Sequence, residues 1–169
     1  MNERKKVVRW WWAWDFEKEE RWLNNMAAEG WVLDGVSFIT YYFVRCEPGE
    51  YIVRLEMRDA DEEYLRFMEE MGAEHAGQFF KWHYFRRKSE LGPFDLYSDI
   101  DSRLEHLSRI SRLLKIIGLA NIIIGVANTI NFQNALPVVN LLCGCLLMYG
   151  LGRIDGKADE LKNERDIHE

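Results

Sequence analysis

LLKIIGLANIIIGVANTI (113–130) and ALPVVNLLCGCLLMYGLGRI (135–154) are two apolar runs separated only by Asn131, Phe132, Gln133 and Asn134. A spanning helix needs roughly 20 mostly apolar residues and must satisfy its own backbone, because hydrocarbon offers no hydrogen bonds. Each run is therefore read as one membrane helix, and the pair as a hairpin embedded in the lipid bilayer. The alternative, a hairpin buried in a water-soluble core, needs a shell of amphipathic helices that the rest of the sequence does not supply. Arg103, Arg109, Arg112 and Lys115 precede the hairpin and Arg153, Lys157 and Lys162 follow it, whereas its connection is uncharged. Short segments rich in Lys and Arg stay on the cytoplasmic side, so both termini are expected there.

This reading divides the chain into a head (1–92), a linker and juxtamembrane helix (93–112), the hairpin (113–154) and a charged tail (155–169). Ile100, Leu104, Leu107, Ser111 and Leu114 recur at spacings of three and four, which predicts a helix entering the membrane without a break. From residue 99 to 130 it would measure about 48 Å. Gly118, Asn121, Gly125 and Asn128 on one run, and Asn140 and Gly144 on the other, are the expected packing positions, because small residues permit close approach and Asn can bond across helices. Cys46, Cys143 and Cys145 lack the company of a zinc site and read as packing residues.

In the head, Val7 to Trp14 is apolar on both faces, as expected of a central strand. Asp15 opens an amphipathic helix carrying Phe16, Trp22, Leu23, Met26 and Ala27, which Gly30 ends. Alternation from Trp31 to Cys46 and from Tyr51 to Arg58, around Glu47-Pro48-Gly49-Glu50, predicts a β-hairpin. A second helix follows Asp59 or Asp61 and stops at Gly72, and a last strand covers 77–88. A constant shift of 42 relates Gly30 to Gly72, Leu23 to Leu65, Met26 to Met68, Gly35 to Gly77, Phe38 to Phe80, Tyr42 to Tyr84 and Phe43 to Phe85. The expected class is α+β: a ferredoxin-like βαββαβ head with one four-stranded antiparallel sheet, then a long helix leading into the transmembrane hairpin.

If the helices cover the face with Phe38, Tyr42, Phe80, Trp82 and Tyr84, the open face presents Tyr41, Phe43, Arg54, Phe79, Lys81, His83 and Phe85. Aromatics mixed with cations on a one-sided sheet suit a protein partner or a homo-oligomer contact. The net charge of −6 opposes direct nucleic-acid binding. His75, His83, His106 and His168 have no second ligand at a metal spacing, and no phosphate loop or nucleophile motif occurs. Glu19, Glu20, Glu62 and Glu63 read as solvated first-turn charges that suit the helix dipole. No catalytic residue, metal or cofactor is expected, and the chain is not read as an enzyme.

Phe16-Glu17-Lys18-Glu19-Glu20 with Trp22-Leu23, Met26-Ala27-Ala28-Glu29-Gly30-Trp31, Cys46-Glu47-Pro48-Gly49-Glu50-Tyr51, Gly92-Pro93-Phe94 and Ser98-Asp99-Ile100-Asp101-Ser102-Arg103 together resemble the bacterial family labelled domain of unknown function 2812. The resemblance carries no activity and no catalytic residue. It implies a cytosolic head on two helices of the bacterial inner membrane, often encoded beside PadR-type transcription regulators. The expected function is a non-enzymatic membrane-anchored sensor or tether, its head binding a cytoplasmic protein such as a PadR-type regulator. The alternative is a membrane-associated module that binds an amphipathic small molecule in an aromatic pocket.

Overall fold

The computed structural model describes residues 3–59, 61–97, 99–131 and 136–168. The chain divides into two compact units, Met1–Ser98 and Asp99–Glu169.

Among the described residues the first unit contains six strands where four were expected. Its elements are β1 (Arg4–Val8), α1 (Phe16–Ala28), β2 (Trp31–Val36), β3 (Thr40–Arg45), β4 (Tyr51–Met57), α2 (Glu62–Glu70), β5 (Ala73–Phe79) and β6 (Trp82–Lys88). They form two three-stranded antiparallel sheets, ordered β1-β3-β2 and β4-β6-β5, instead of one four-stranded ferredoxin-like sheet. The strands expected over 31–46 and 77–88 each fold back into a two-stranded hairpin. Ser37 and Thr40 exchange backbone hydrogen bonds around Phe38 and Ile39, and Phe80 and Lys81 turn the chain between β5 and β6. The segment 47–50 consequently joins two repeats and is not a hairpin turn, since β3 and β4 belong to different sheets.

The 42-residue shift is a repeat of a strand-helix-strand-strand unit, and it extends to irregularities. The β2–β3 register slips between Leu33 and Gly35, and the β5–β6 register slips between His75 and Gly77, 42 residues on. A bulge bends and twists its strand, which suits an edge where pairing ends. The two bulged edges meet: a Cβ on Gly77 would lie 3.1 Å from Val36 N and 3.5 Å from Gly35 Cα, and Gly77 has φ +156°.

The aromatic run at the amino terminus contributes only its beginning to a sheet. β1 ends at Val8, and Ala13–Asp15 forms a short 3-10 turn. Instead of filling a central strand, Trp10 meets Trp12 edge-on at 5.2 Å and Trp12 stacks on Trp14 at 4.9 Å. Asp15 makes no cap hydrogen bond and pairs with Lys18 at 2.8 Å. At α2 the cap is Asp61, whose carboxylate accepts from Glu63 N and Tyr64 N.

Helix α1 also closes an edge of the other repeat. The Asn24 side-chain amide donates to Val53 O and accepts from Val53 N, both at 2.9 Å, and Glu20 Oε2 accepts Leu55 N at 3.2 Å. These side chains occupy backbone groups of β4 that would otherwise form an open sheet edge. Under α2, Met68, Ala73, Phe85 and Phe94 form a core with Ile52, Tyr64 and Leu65 against them.

The second unit is a pair of packed antiparallel helices, α3 (Ile100–Asn131) and α4 (Leu136–His168). The expected charged tail continues α4 as helix, while Phe132, Gln133 and Asn134 of the connection lie outside the described residues. Asp99 caps α3 by accepting Ser102 N at 2.7 Å. Gly118, Gly125 and Gly144 lie where the helices touch: a Cβ added to them would meet Met148, Leu141 and Ile122 at 2.7, 2.8 and 2.6 Å. Asn121 donates to Ile117 O of its own helix, and Asn128 and Asn140 are half-buried. Beyond the apolar runs, Ser111 bonds Asp155 and Arg165 pairs with Asp101.

The Asn24 clasp yields a prediction. Asn24→Leu removes both bonds to Val53 while keeping an apolar stem, and should cost about 1–3 kcal/mol, measured by urea unfolding of the detergent-solubilised chain followed by Trp emission.

Candidate functional site

The inward face of α1 carries Phe16, Glu19, Leu23, Met26 and Ala27, all buried. Glu19, read from sequence as a solvated charge, is 6% exposed. The Tyr41 hydroxyl donates to Glu19 Oε1 at 2.6 Å and the Tyr84 hydroxyl donates to the same oxygen at 2.7 Å. Tyr41 stands on β3 and Tyr84 on β6, so one carboxylate oxygen bridges the two sheets. The repeat serves the site unequally, because Tyr84 corresponds to exposed Tyr42, and Tyr41 to His83.

Aromatic rings line the surroundings. Trp22 meets Tyr41 edge-on at 4.9 Å and Phe43 at 5.7 Å, the Tyr41 and Tyr84 centroids are 6.5 Å apart, and Phe16 lies 5.9 Å from Trp82. The Arg9 guanidinium is engaged with rings, lying over Trp11 at 4.4 Å and Trp22 at 5.0 Å. Burial pushes the Glu19 carboxyl above its usual range, against the two hydroxyls that pull it down. Among the described residues no Lys or Arg forms an ion pair with Glu19. Neighbouring Glu20 is also raised by burial, but it has Arg54 at 3.5 Å.

The face expected to be open is largely inside. Tyr41, Phe43, His83 and Phe85 are buried, Arg54 is half-buried, and Phe79 and Lys81 stay accessible, Lys81 in an ion pair with Asp59. Both faces of the sheets are aromatic, and alternation alone does not say which one a helix covers. α1 packs on the Phe43 side and α2 on the Phe85 side, leaving Phe38, Tyr42 and Phe80 outward. The position of Glu19 was discernible from spacing: it falls three residues after Phe16 and four before Leu23, within the apolar stripe.

Two histidines that are eight apart in sequence come together. His83 Nδ1 and His75 Nε2 are 3.3 Å apart, so one ring nitrogen donates to the other. His83 pairs across the ladder with buried Glu56, which has Arg58 at 3.6 Å. Among the described residues no group of three or more His, Cys, Asp and Glu could hold a metal ion.

Burial lowers the affinity of both histidines for a proton relative to the ordinary value of 6.5. The unfolded chain then takes up protons first as pH falls below 6.5, so this contribution to stability is complete above that value and is lost below it. Replacing both residues by Phe should flatten the slope between pH 6.5 and 5, by at most about 1.4 kcal/mol per histidine per pH unit. Urea unfolding of both proteins across that range is the measurement.

No curated protein and no solved structure matches this chain. Residues 15–119, which take in both repeats from α1 onward and the first part of α3, match the family described as Protein of unknown function (DUF2812). The chain belongs to that family.

Proposed function

We propose that this chain is a non-enzymatic, membrane-anchored binding module whose head captures an amphipathic small molecule bearing a positive charge. The buried carboxylate of Glu19, set among aromatic rings with no cationic partner among the described residues, carries the reading. An ionised group removed from water is costly unless it is paired, so such a site favours a cation brought by a ligand. Trp and Tyr faces attract the same cation through their quadrupoles and accept an apolar body alongside it. Oε1 is occupied by the two tyrosines, which leaves Oε2 as the atom for the incoming charge.

The anchoring half of the proposal rests on the second unit. Its two helices are long and apolar enough to cross a membrane. Large apolar side chains face outward around both, among them Ile116, Ile123, Val138 and Leu142, with Ile123 66% exposed. Such a belt is costly in water and suits lipid. The family and the flanking cations favour the bacterial inner membrane with both termini on the cytoplasmic side. Docking of a protein, such as a PadR-type regulator, is the weaker reading, because four of its seven expected contacts are core residues.

All seven tryptophans precede residue 83, so intrinsic fluorescence reports on the head alone. In an uncharged detergent, tetraphenylphosphonium should alter the emission of the full chain saturably, and tetraphenylborate, of the same shape and opposite charge, should not. Glu19→Gln should weaken the cation response at least about tenfold, the effect of losing about 1.4 kcal/mol of charge pairing. The same substitution should leave thermal stability equal or higher, since it removes a buried charge while keeping an acceptor for the tyrosines. Equal responses to both ions, or a cation response indifferent to Glu19, would defeat the proposal.

A further inference from the structure

The turns of the two repeats place equivalent phenylalanines, Phe38 and Phe80, 42 residues apart, and each is 60% exposed. Phe38 lies 5.5 Å from Trp10 and 5.6 Å from Phe79, and Trp10 continues to Trp12 at 5.2 Å, so the rings form one ladder at the surface. Val8, 62% exposed, extends it along the strand edge. Phe80 breaks two local preferences at once: a bulky side chain faces water, and its backbone sits at φ +55°, where glycine or asparagine is normal. Strain of that kind in a turn, costing on the order of 1–3 kcal/mol, persists where the side chain has a task.

Charge selects the occupant. Residues 3–9 hold Arg4, Lys5, Lys6 and Arg9 against the single acid Glu3, in a chain whose net charge is −6. Arg4, Lys5, Lys6 and Arg9 are exposed, and β1 is an outer strand of its sheet. Basic side chains beside a Trp-rich apolar surface match the headgroup layer of an anionic bilayer, where indole rings concentrate and each Lys or Arg adds attraction. The head is covalently continuous with the hairpin through residues 93–112, so a hairpin in the membrane raises the effective concentration of that surface for the head.

We infer that the surface formed by Val8, Trp10, Trp12, Phe38, Phe79 and Phe80, with the basic β1 beside it, docks on the anionic lipid surface of the membrane that holds the hairpin. The inference rests on the hairpin spanning the membrane, and it is independent of any ligand at Glu19.

The test uses the full chain, one copy per lipid nanodisc, with bromine carried on the acyl chains near the headgroups. Docking predicts loss of about a quarter of the Trp emission, the share of two tryptophans in seven, in brominated phosphatidylglycerol, and less in brominated phosphatidylcholine. Phe38→Ser combined with Phe80→Gly retains every tryptophan and should abolish the quenching, while Phe80→Gly alone should raise thermal stability by relieving the turn. Retention in vesicles after an alkaline carbonate wash separates the two claims. A washed-out chain refutes the anchoring and the docking together; a retained chain with unquenched emission refutes the docking alone. Emission that ignores bromine but shifts when two copies share a disc would assign the surface to a second copy and overturn the inference. Quenching that persists in the Phe38→Ser, Phe80→Gly variant would do so as well.

Discussion

Glu19 Oε1 receives hydroxyl hydrogen bonds from two sheets that share no ladder, and much of the head follows from that meeting. To bring Tyr41 and Tyr84 onto one oxygen, α1 must lie against both repeats. The position that satisfies Glu19 also puts Glu20 and Asn24 on the edge of β4. Helix α2, the repeat-mate of α1, makes no matching bridge: Arg66 and Glu62 stand where α1 has Asn24 and Glu20, and they pair with each other at the surface. A duplicated unit has thus become two unequal halves, one donating a helix to the interior and the other covering its own sheet.

The interior is unusually polar for a head of fewer than a hundred residues. Glu19, Glu56 and His83 are all nearly inaccessible to water. Buried polar groups raise the penalty for any arrangement that leaves them without partners, and so favour one packing over its competitors. The Glu56 and His83 pair lies on the α2 side of its sheet, whereas Glu19 meets Tyr84 on the opposite side, so β6 is polar within the core on both faces.

Much of this was legible from the residues. The repeat was visible as a shift of 42, and the structure extends it to bulges at Leu33/Gly35 and His75/Gly77 that no periodicity announces. The helices and the apolar hairpin followed from spacing and length. Strand number did not, because two-residue turns at Phe38-Ile39 and Phe80-Lys81 lack the Asn-Gly or Gly residues that normally mark a reversal. The open face was misread for a related reason: with aromatics on both faces, hydrophobicity cannot choose, and although Tyr84 is covered as expected, Tyr41, Phe43, His83 and Phe85 are covered too, because α1 and α2 land on opposite faces of the β6 sheet. Glu19 was misread by residue type although its spacing among Phe16, Leu23 and Met26 marked it as inward.

The tie between Ser111 and Asp155 binds α3 to α4 at the margin of their apolar stretches, and that between Asp101 and Arg165 binds them about ten residues further out. Two helices cross-linked at both ends of such a stalk resist shear far better than one helix on a hinge. The two ties fix the register of α3 against α4, so sliding one helix along the other would have to break both.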